Sequence, residues 1–126
     1  MIIADTDVLI DFLSDRGPGA DKVAAALDEG SLATTVITRF ELLAGARDLR
    51  RERTILELLD MVPAFNLDPP ASDQAARIRR TLEQQGNSIG MADSLIAGIV
   101  LYNAGSLLTR NRRHFERVEG LLLEAL

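Results

Sequence analysis

The chain has no cysteine and no tryptophan, and only one tyrosine, one histidine, one lysine and four prolines among 126 residues. Without cysteine it can build neither a disulfide framework nor a structural zinc site, and a reducing cytoplasm suits it. It also has no long apolar run. The longest, Leu95 to Tyr102, falls far short of the roughly 20 residues that span a bilayer. The opening residues, an apolar strand followed at once by Asp5 and Asp7, lack the cationic region and cleavage site of a secretory signal. Familiar catalytic spacings are missing as well: there is no glycine-rich phosphate loop, no G-x-S-x-G elbow and no H-E-x-x-H pair. What remains is an ordinary globular composition, 47% hydrophobic and 26% charged. It predicts one soluble cytoplasmic domain over residues 1–126, long enough to bury a core unaided.

Positive charge is also scarce. The net charge is −5, which bears on solubility and steering rather than on fold. Its distribution is more informative, because the cations are thirteen arginines and Lys22 alone. Eleven of the arginines fall in three clumps: Arg47, Arg50, Arg51 and Arg53; Arg77, Arg79 and Arg80; and Arg110, Arg112, Arg113 and Arg117. Arginine grips phosphate bidentately and stacks on bases, so the clumps could form a phosphate-tracking rim. The plainer account of the first two clumps is a solvated, ion-paired helix face. Arg110 and Arg112, in the third, are candidate substrate contacts.

Along the chain, short apolar runs alternate with helical periodicity. Strands are predicted at Ile2–Ala4, Ser31–Thr35 and Ser106–Thr109, with weaker ones at Phe65–Leu67 and Leu121–Leu123. Helical spacing links Val8, Leu9, Phe12 and Leu13. A second helix is predicted over Ala20–Glu29, stopped by Gly30 as a left-handed residue. A third should contain Glu41 and be capped by Thr38. The amphipathic stretch Asp48–Met61 follows, then a break at Pro69-Pro70, a helix capped by Ser72 and running to about Gln85, and the apolar helix Met91–Asn103. Strands alternating with helices predict a mostly parallel sheet covered on both faces, a three-layer α/β/α sandwich.

Three carboxylates stand at the handovers from apolar run to helix: Asp5, Glu41 and Asp93. Such junctions gather at the carboxyl edge of the strands, where α/β sheets place ligands. Each has a structural explanation. Asp5 can cap a helix, Thr38 and Glu41 fit a T-x-x-E capping box, and Asp93 suits a helix dipole. Asp7 is either a solvated first-turn acid or a charge supporting Asp5. Together, in a chain without cysteine, the acids point to an oxygen-ligand site for a hard divalent cation and to metal-assisted phosphodiester chemistry.

The segments ADTDVLIDFL, FELLAG, GMADSLIAG and LLTRNRRHFERVEGL, taken in this order, resemble a PIN-domain ribonuclease. Within that family they resemble the small toxins of bacterial VapBC toxin–antitoxin modules, over the whole chain. The resemblance implies a parallel α/β/α sandwich that binds Mg²⁺ or Mn²⁺ through an acidic cluster and cuts RNA. It also implies inhibition by an antitoxin encoded alongside, and a homodimer or a toxin–antitoxin hetero-oligomer. Asp5, Glu41 and Asp93 match the family's acidic positions, as catalytic residues and metal ligands. Asn111 falls where many relatives carry a fourth aspartate, and is a candidate ligand through its amide oxygen. Asp7 stands where asparagine is common. Thr6 and Thr109 match hydroxyl residues beside the site and are candidate substrate contacts, while His114-Phe115 match a recurrent structural pair. An antitoxin would be expected to lie in an apolar groove formed by the Asp48–Met61 and Val23–Leu27 helices.

Two alternatives stay open. Asp5-Thr6-Asp7 also reads as the start of a haloacid-dehalogenase-like phosphohydrolase with Asp5 as nucleophile, a chemistry that needs a downstream lysine and finds only Lys22. The other is a PIN-like scaffold that binds partners with little catalysis.

Overall fold

The computed structural model describes residues 1–126, in the order β1 (Ile2–Ala4), α1 (Thr6–Ser14), α2 (Gly17–Asp28), β2 (Leu32–Thr35), α3 (Val36–Ala44), α4 (Leu49–Met61), β3 (Ala64–Phe65), α5 (Pro69–Gln84), α6 (Met91–Tyr102), β4 (Ser106–Leu108), α7 (Arg112–Phe115) and β5 (Leu122–Leu123). All strand pairings are parallel, and the sheet order is β3-β2-β1-β4-β5. The two-residue period of the central strands sorts their side chains into two cores. Ala4, Leu32 and Leu108 face one side, with Val8 and Leu9 of α1, Val23 of α2, Leu42 of α3 and Ile55, Leu58 and Leu59 of α4. Ile3, Ala33 and Leu107 face the other, with Ile78 and Leu82 of α5, Ile96 and Val100 of α6 and Phe115 of α7. Strands buried on both faces have no polar alternation, which is why they read as continuous apolar runs. The α/β/α sandwich follows from this sorting.

Local chemistry moved several boundaries. Pro18 lies in the first turn of α2, which begins at Gly17 rather than Ala20; proline's fixed φ and missing N–H suit that position. Pro69 and Pro70 likewise open α5 instead of breaking the chain. Its cap is Asp68, whose Oδ1 accepts the Ala71 N–H at 3.0 Å, and not Ser72. Asp68→Ala should therefore cost about 1 kcal/mol of stability, measured by chemical denaturation, whereas Ser72→Ala should leave the midpoint near wild type. The third strand is Ala64–Phe65, shorter and earlier than expected. Gly30 does adopt a left-handed φ of +70° after α2.

The expected apolar groove between α2 and α4 is not present. Val23, Ile55, Leu58, Leu59 and Val62 are all buried in the first core. The amphipathic stripe of α4 is consumed by packing on the sheet, as a single-face stripe usually is. No helix is long and apolar enough to cross a membrane.

The strand order reverses at β1. The chain moves outward from β1 to β2 and β3, then returns to lay β4 on the other flank of β1. Between β1 and β4 the following segments diverge to opposite faces, and this leaves a crevice beyond the carboxyl ends of the two strands. Asp5 and Thr109 are the residues just past those ends, and the Asp5 N–H continues the ladder to the Leu108 carbonyl at 2.9 Å.

Candidate active site

Asp5 lies at the crevice and is 6% exposed. It is the N-cap of α1, and its Oδ1 accepts the Thr6 N–H at 2.8 Å. Capping accounts for that oxygen only. The other, Oδ2, accepts from the Thr109 hydroxyl at 2.7 Å. Thr109 is a hub: its oxygen also accepts the Asn111 N–H at 3.0 Å and stands 3.4 Å from Asp7 Oδ2. A hydroxyl has one proton to give, and the shorter contact assigns it to Asp5.

Asp7 is not a solvated acid. Its Oδ2 accepts the Arg110 N–H at 3.0 Å, tying the first turn of α1 to the segment after β4. Its Oδ1 is buried and has no hydrogen-bond partner. An unpartnered buried carboxylate oxygen is costly, and native structures keep few of them.

Glu41 enters from the other flank of β1. Thr35 caps α3 by accepting the Thr38 N–H at 3.1 Å, so the expected T-x-x-E box is not formed and Glu41 sits in mid-helix. Its Oε1 instead accepts from the Thr6 hydroxyl at 2.7 Å, with Thr38 Oγ1 3.3 Å from the same threonine. The bland account of Glu41 as a helix-starting residue fails for that reason.

Asp93 lies in the first turn of α6, whose cap residue Gly90 supplies no side chain. Its Oδ2 is 2.8 Å from His114 Nδ1 and 3.5 Å from Asn111 Nδ2, and those two nitrogens are 2.7 Å apart. The His114-Phe115 pair thus divides: Phe115 is fully buried, while His114 is exposed and turned to Asp93. The resemblance gives His114 only as half of a structural pair, without a place at the site. The signal that could have found it is the Asn111–His114 spacing, since residues three apart share a helix face.

The electrostatics follow from burial. Loss of water pushes the Asp5 carboxyl from its ordinary 3.8 up to about 6, against lowering hydrogen bonds from Thr109 and Thr6 and with the like charges of Asp7 and Asp93 adding to the rise. Burial also raises Asp7, opposed by the Arg110 N–H and guanidinium. Asp5, Glu41 and Asp93 share one sheet edge without converging on one point, and no three acidic or histidine side chains form a preformed cage. Thr6, Thr109 and Asn111 link them.

A sequence model of the PIN domain family matches residues 2–121. The chain belongs to that family. Among curated relatives it is 32% identical to Ribonuclease VapC10 of Mycobacterium tuberculosis over 124 residues, covering 96% of this chain and 90% of that protein. It is 29% identical over 124 residues to the tRNA(fMet)-specific endonuclease VapC of Shigella flexneri, covering 95% and 93%. Among solved structures it superposes on a chain of VapBC2 from Rickettsia felis, bound to a DNA fragment from its promoter. The TM-score is 0.84 at 23% identity, with 98% of both chains covered.

Not every candidate of this PIN domain lies in the network. The Arg112 guanidinium donates to the Glu124 carbonyl at 2.6 Å and fastens the C-terminal strand. Arg110 reaches Asp11, Nε to Oδ2, at 2.8 Å. Lys22 is exposed on α2 and joins none of these contacts, so an aspartyl-phosphate chemistry at Asp5 lacks its cation.

Proposed function

We propose that this PIN domain is an endoribonuclease that hydrolyses RNA phosphodiesters with Mg²⁺ or Mn²⁺, and that it is the toxin of a type II toxin–antitoxin module. The observation that carries the reading is the pair Asp5 and Asp7 at the switch point: two carboxyls raised by burial, one with an oxygen that nothing in the chain satisfies. A cation at that position relieves both. The donors are oxygens and one imidazole, which suits a hard ion. Mg²⁺ in particular keeps several waters and takes only one or two carboxylates, so an acidic edge without a three-carboxylate cage fits it.

When bound, the ion lowers the pKa of a coordinated water and offsets charge on the phosphate oxygens. Asp5, just past β1, and Asp7 in the first turn of α1 would hold it, with Asp93 and Glu41 on either flank. Thr109 and Thr6 keep Asp5 and Glu41 in place through their hydroxyls. His114 and Asn111 hold Asp93 in place, and Asn111 stays a candidate ligand through its amide oxygen. Arg110, held by Asp11, is the arginine placed to meet a substrate phosphate. A cognate antitoxin restrains this activity in the cytoplasm, and a homodimer is the working assembly. The likeness to ribonuclease and VapBC proteins supports these assignments.

The test is to sequence RNA ends produced by purified protein, with and without chelator. New ends should require a divalent ion. Glu41→Gln and Asp93→Asn should each lower cleavage about a hundredfold or more, and the double variant little further, because such groups act as a unit. Wild-type cleavage by a folded Asp5→Asn, Glu41→Gln, Asp93→Asn triple variant would overturn the proposal.

A further inference from the structure

The first arginine clump does not form the ion-paired helix face that its sequence suggests. In the second clump Arg79 does pair with Glu83 at 3.1 Å. By contrast, no acid or hydrogen-bond acceptor engages the guanidinium groups of Arg47, Arg50 or Arg51. Of the two carboxylates nearest in sequence, Asp48 is committed by its Oδ1 to the Arg51 N–H at 2.8 Å as the cap of α4, and Glu52 pairs with none of these guanidinium groups. These three arginines, with Asp48, Ile10, Gly45 and Thr54, line a cavity of about 570 Å³, in which three cations outnumber one acid.

Its position is informative. Ile10 is one helical turn beyond Thr6 on α1, and Gly45 is one turn beyond Glu41 at the end of α3. Thr6 and Glu41 are hydrogen-bonded to each other. The cavity therefore begins about 6 Å from the acidic edge, four residues of helical rise away. Beside Glu41 is Phe40, 70% exposed, whereas Phe12 and Phe65 are half-buried and Phe115 is fully buried. The N-terminus of α4, a helix of 13 residues, adds its own positive end to the same cavity.

We propose that this groove carries one strand of RNA away from the scissile phosphate, with Arg47, Arg50 and Arg51 on successive phosphates and Phe40 stacked on a base next to the site. The inference rests on the ribonuclease reading and extends it to the path of the strand beyond the site and to the residues of this chain that hold it. Unpaired cations along a groove, with an exposed aromatic on α3 outside its lining, match backbone phosphate and an unstacked base. Duplex RNA keeps its bases stacked inward and offers Phe40 nothing.

The test measures binding without hydrolysis. A fluorescent single-stranded RNA oligonucleotide is titrated in chelator and followed by anisotropy at several salt concentrations. Phe40→Ala should weaken binding about tenfold for the single strand and leave a hairpin stem of the same sequence unaffected. The Arg47→Glu, Arg50→Glu, Arg51→Glu variant should weaken it more, and should flatten the slope of log K against log salt by about 2, as expected for three lost phosphate contacts. Thermal melts confirm that these exposed changes leave the fold intact. Unchanged affinity and salt slope in the triple variant would overturn the groove assignment while leaving the ribonuclease reading in place. Binding that weakens equally for strand and stem would overturn Phe40 as a stacking platform. If the triple variant kept its RNA affinity but lost capture of an acidic peptide, the groove would belong to a protein partner and the proposal would fall. Absence of any RNA cleavage by wild-type protein is a separate failure, confined to the function above.

Discussion

Asp5→Asn is expected to abolish RNA cleavage, by about a thousandfold or more, and at the same time to make the metal-free protein more stable. The two effects have one cause. Burial holds the Asp5 carboxyl near 6 against an ordinary 3.8, so keeping it ionised at neutral pH costs about 3 kcal/mol. Its folded value lies above its unfolded one. The native state therefore binds more protons than the unfolded chain between those values, and stability falls as pH rises through the window from about 3.8 to about 6. Above the window the penalty is fully present; below it, it is gone. Asparagine removes the charge and the repulsion from Asp7. The Thr109 hydroxyl has to turn from donor to acceptor toward the new amide, so the net gain should be nearer 2 than 3 kcal/mol, roughly 8 °C in Tm for a chain of this size. Melting curves from pH 4 to 8 in chelator check this. The variant and wild type should converge at the acid end and separate above pH 6, and a variant less stable than wild type at pH 7.5 would mean that Asp5 is not strained. Divalent ion should reverse the order by stabilising wild type alone, through linkage.

The second large effect is expected at Gly98, in the middle of α6 and far from any turn. A Cβ there would stand 2.6 Å from Ala75 Cβ, 2.7 Å from Ala75 N and 2.8 Å from the Ala71 carbonyl oxygen. Two of those neighbours are backbone, so no rotamer change can make room. In an isolated helix Gly→Ala is worth about 1 kcal/mol in favour of alanine. Here the overpacking outweighs it, and Gly98→Ala should lose about 2 kcal/mol net, with Gly98→Val worse. Because α6 carries Asp93 in its first turn, a helix pushed away from α5 also moves that carboxylate relative to β1. Cleavage should therefore fall along with the denaturation midpoint. A Gly98→Ala variant as stable as wild type would mean that α5 and α6 are not in close backbone contact.

The sequence by itself determined more of the architecture than of the site. Buried strands such as Ile2–Ala4 and helices such as Leu49–Met61 leave periods of two and 3.6 that a reader can follow, and alternation of the two implies a parallel sheet with helices on both faces. Of the three acids expected at strand-to-helix handovers, only Asp5 stands at one; Glu41 lies in the middle of α3, and Asp93 opens a helix that follows α5 rather than a strand. The four motif segments could be matched to a family because they are local.

What only the tertiary structure decided depends on residues distant in sequence. Whether Thr38 or Thr35 caps α3 turns on one hydrogen bond, and it changes Glu41 from a capping acid to a partner of Thr6, 35 positions away. The same holds for Thr109, a hub only because β4 pairs with β1, and for His114, exposed to Asp93 although its neighbour Phe115 is core. Two arginine clumps that read alike in sequence became an ion pair in α5 and an unpaired groove beside α3. No local pattern encodes these outcomes, because burial raises the pKa of Asp5, and packing makes Gly98 necessary, only once segments far apart in the chain exclude water and each other.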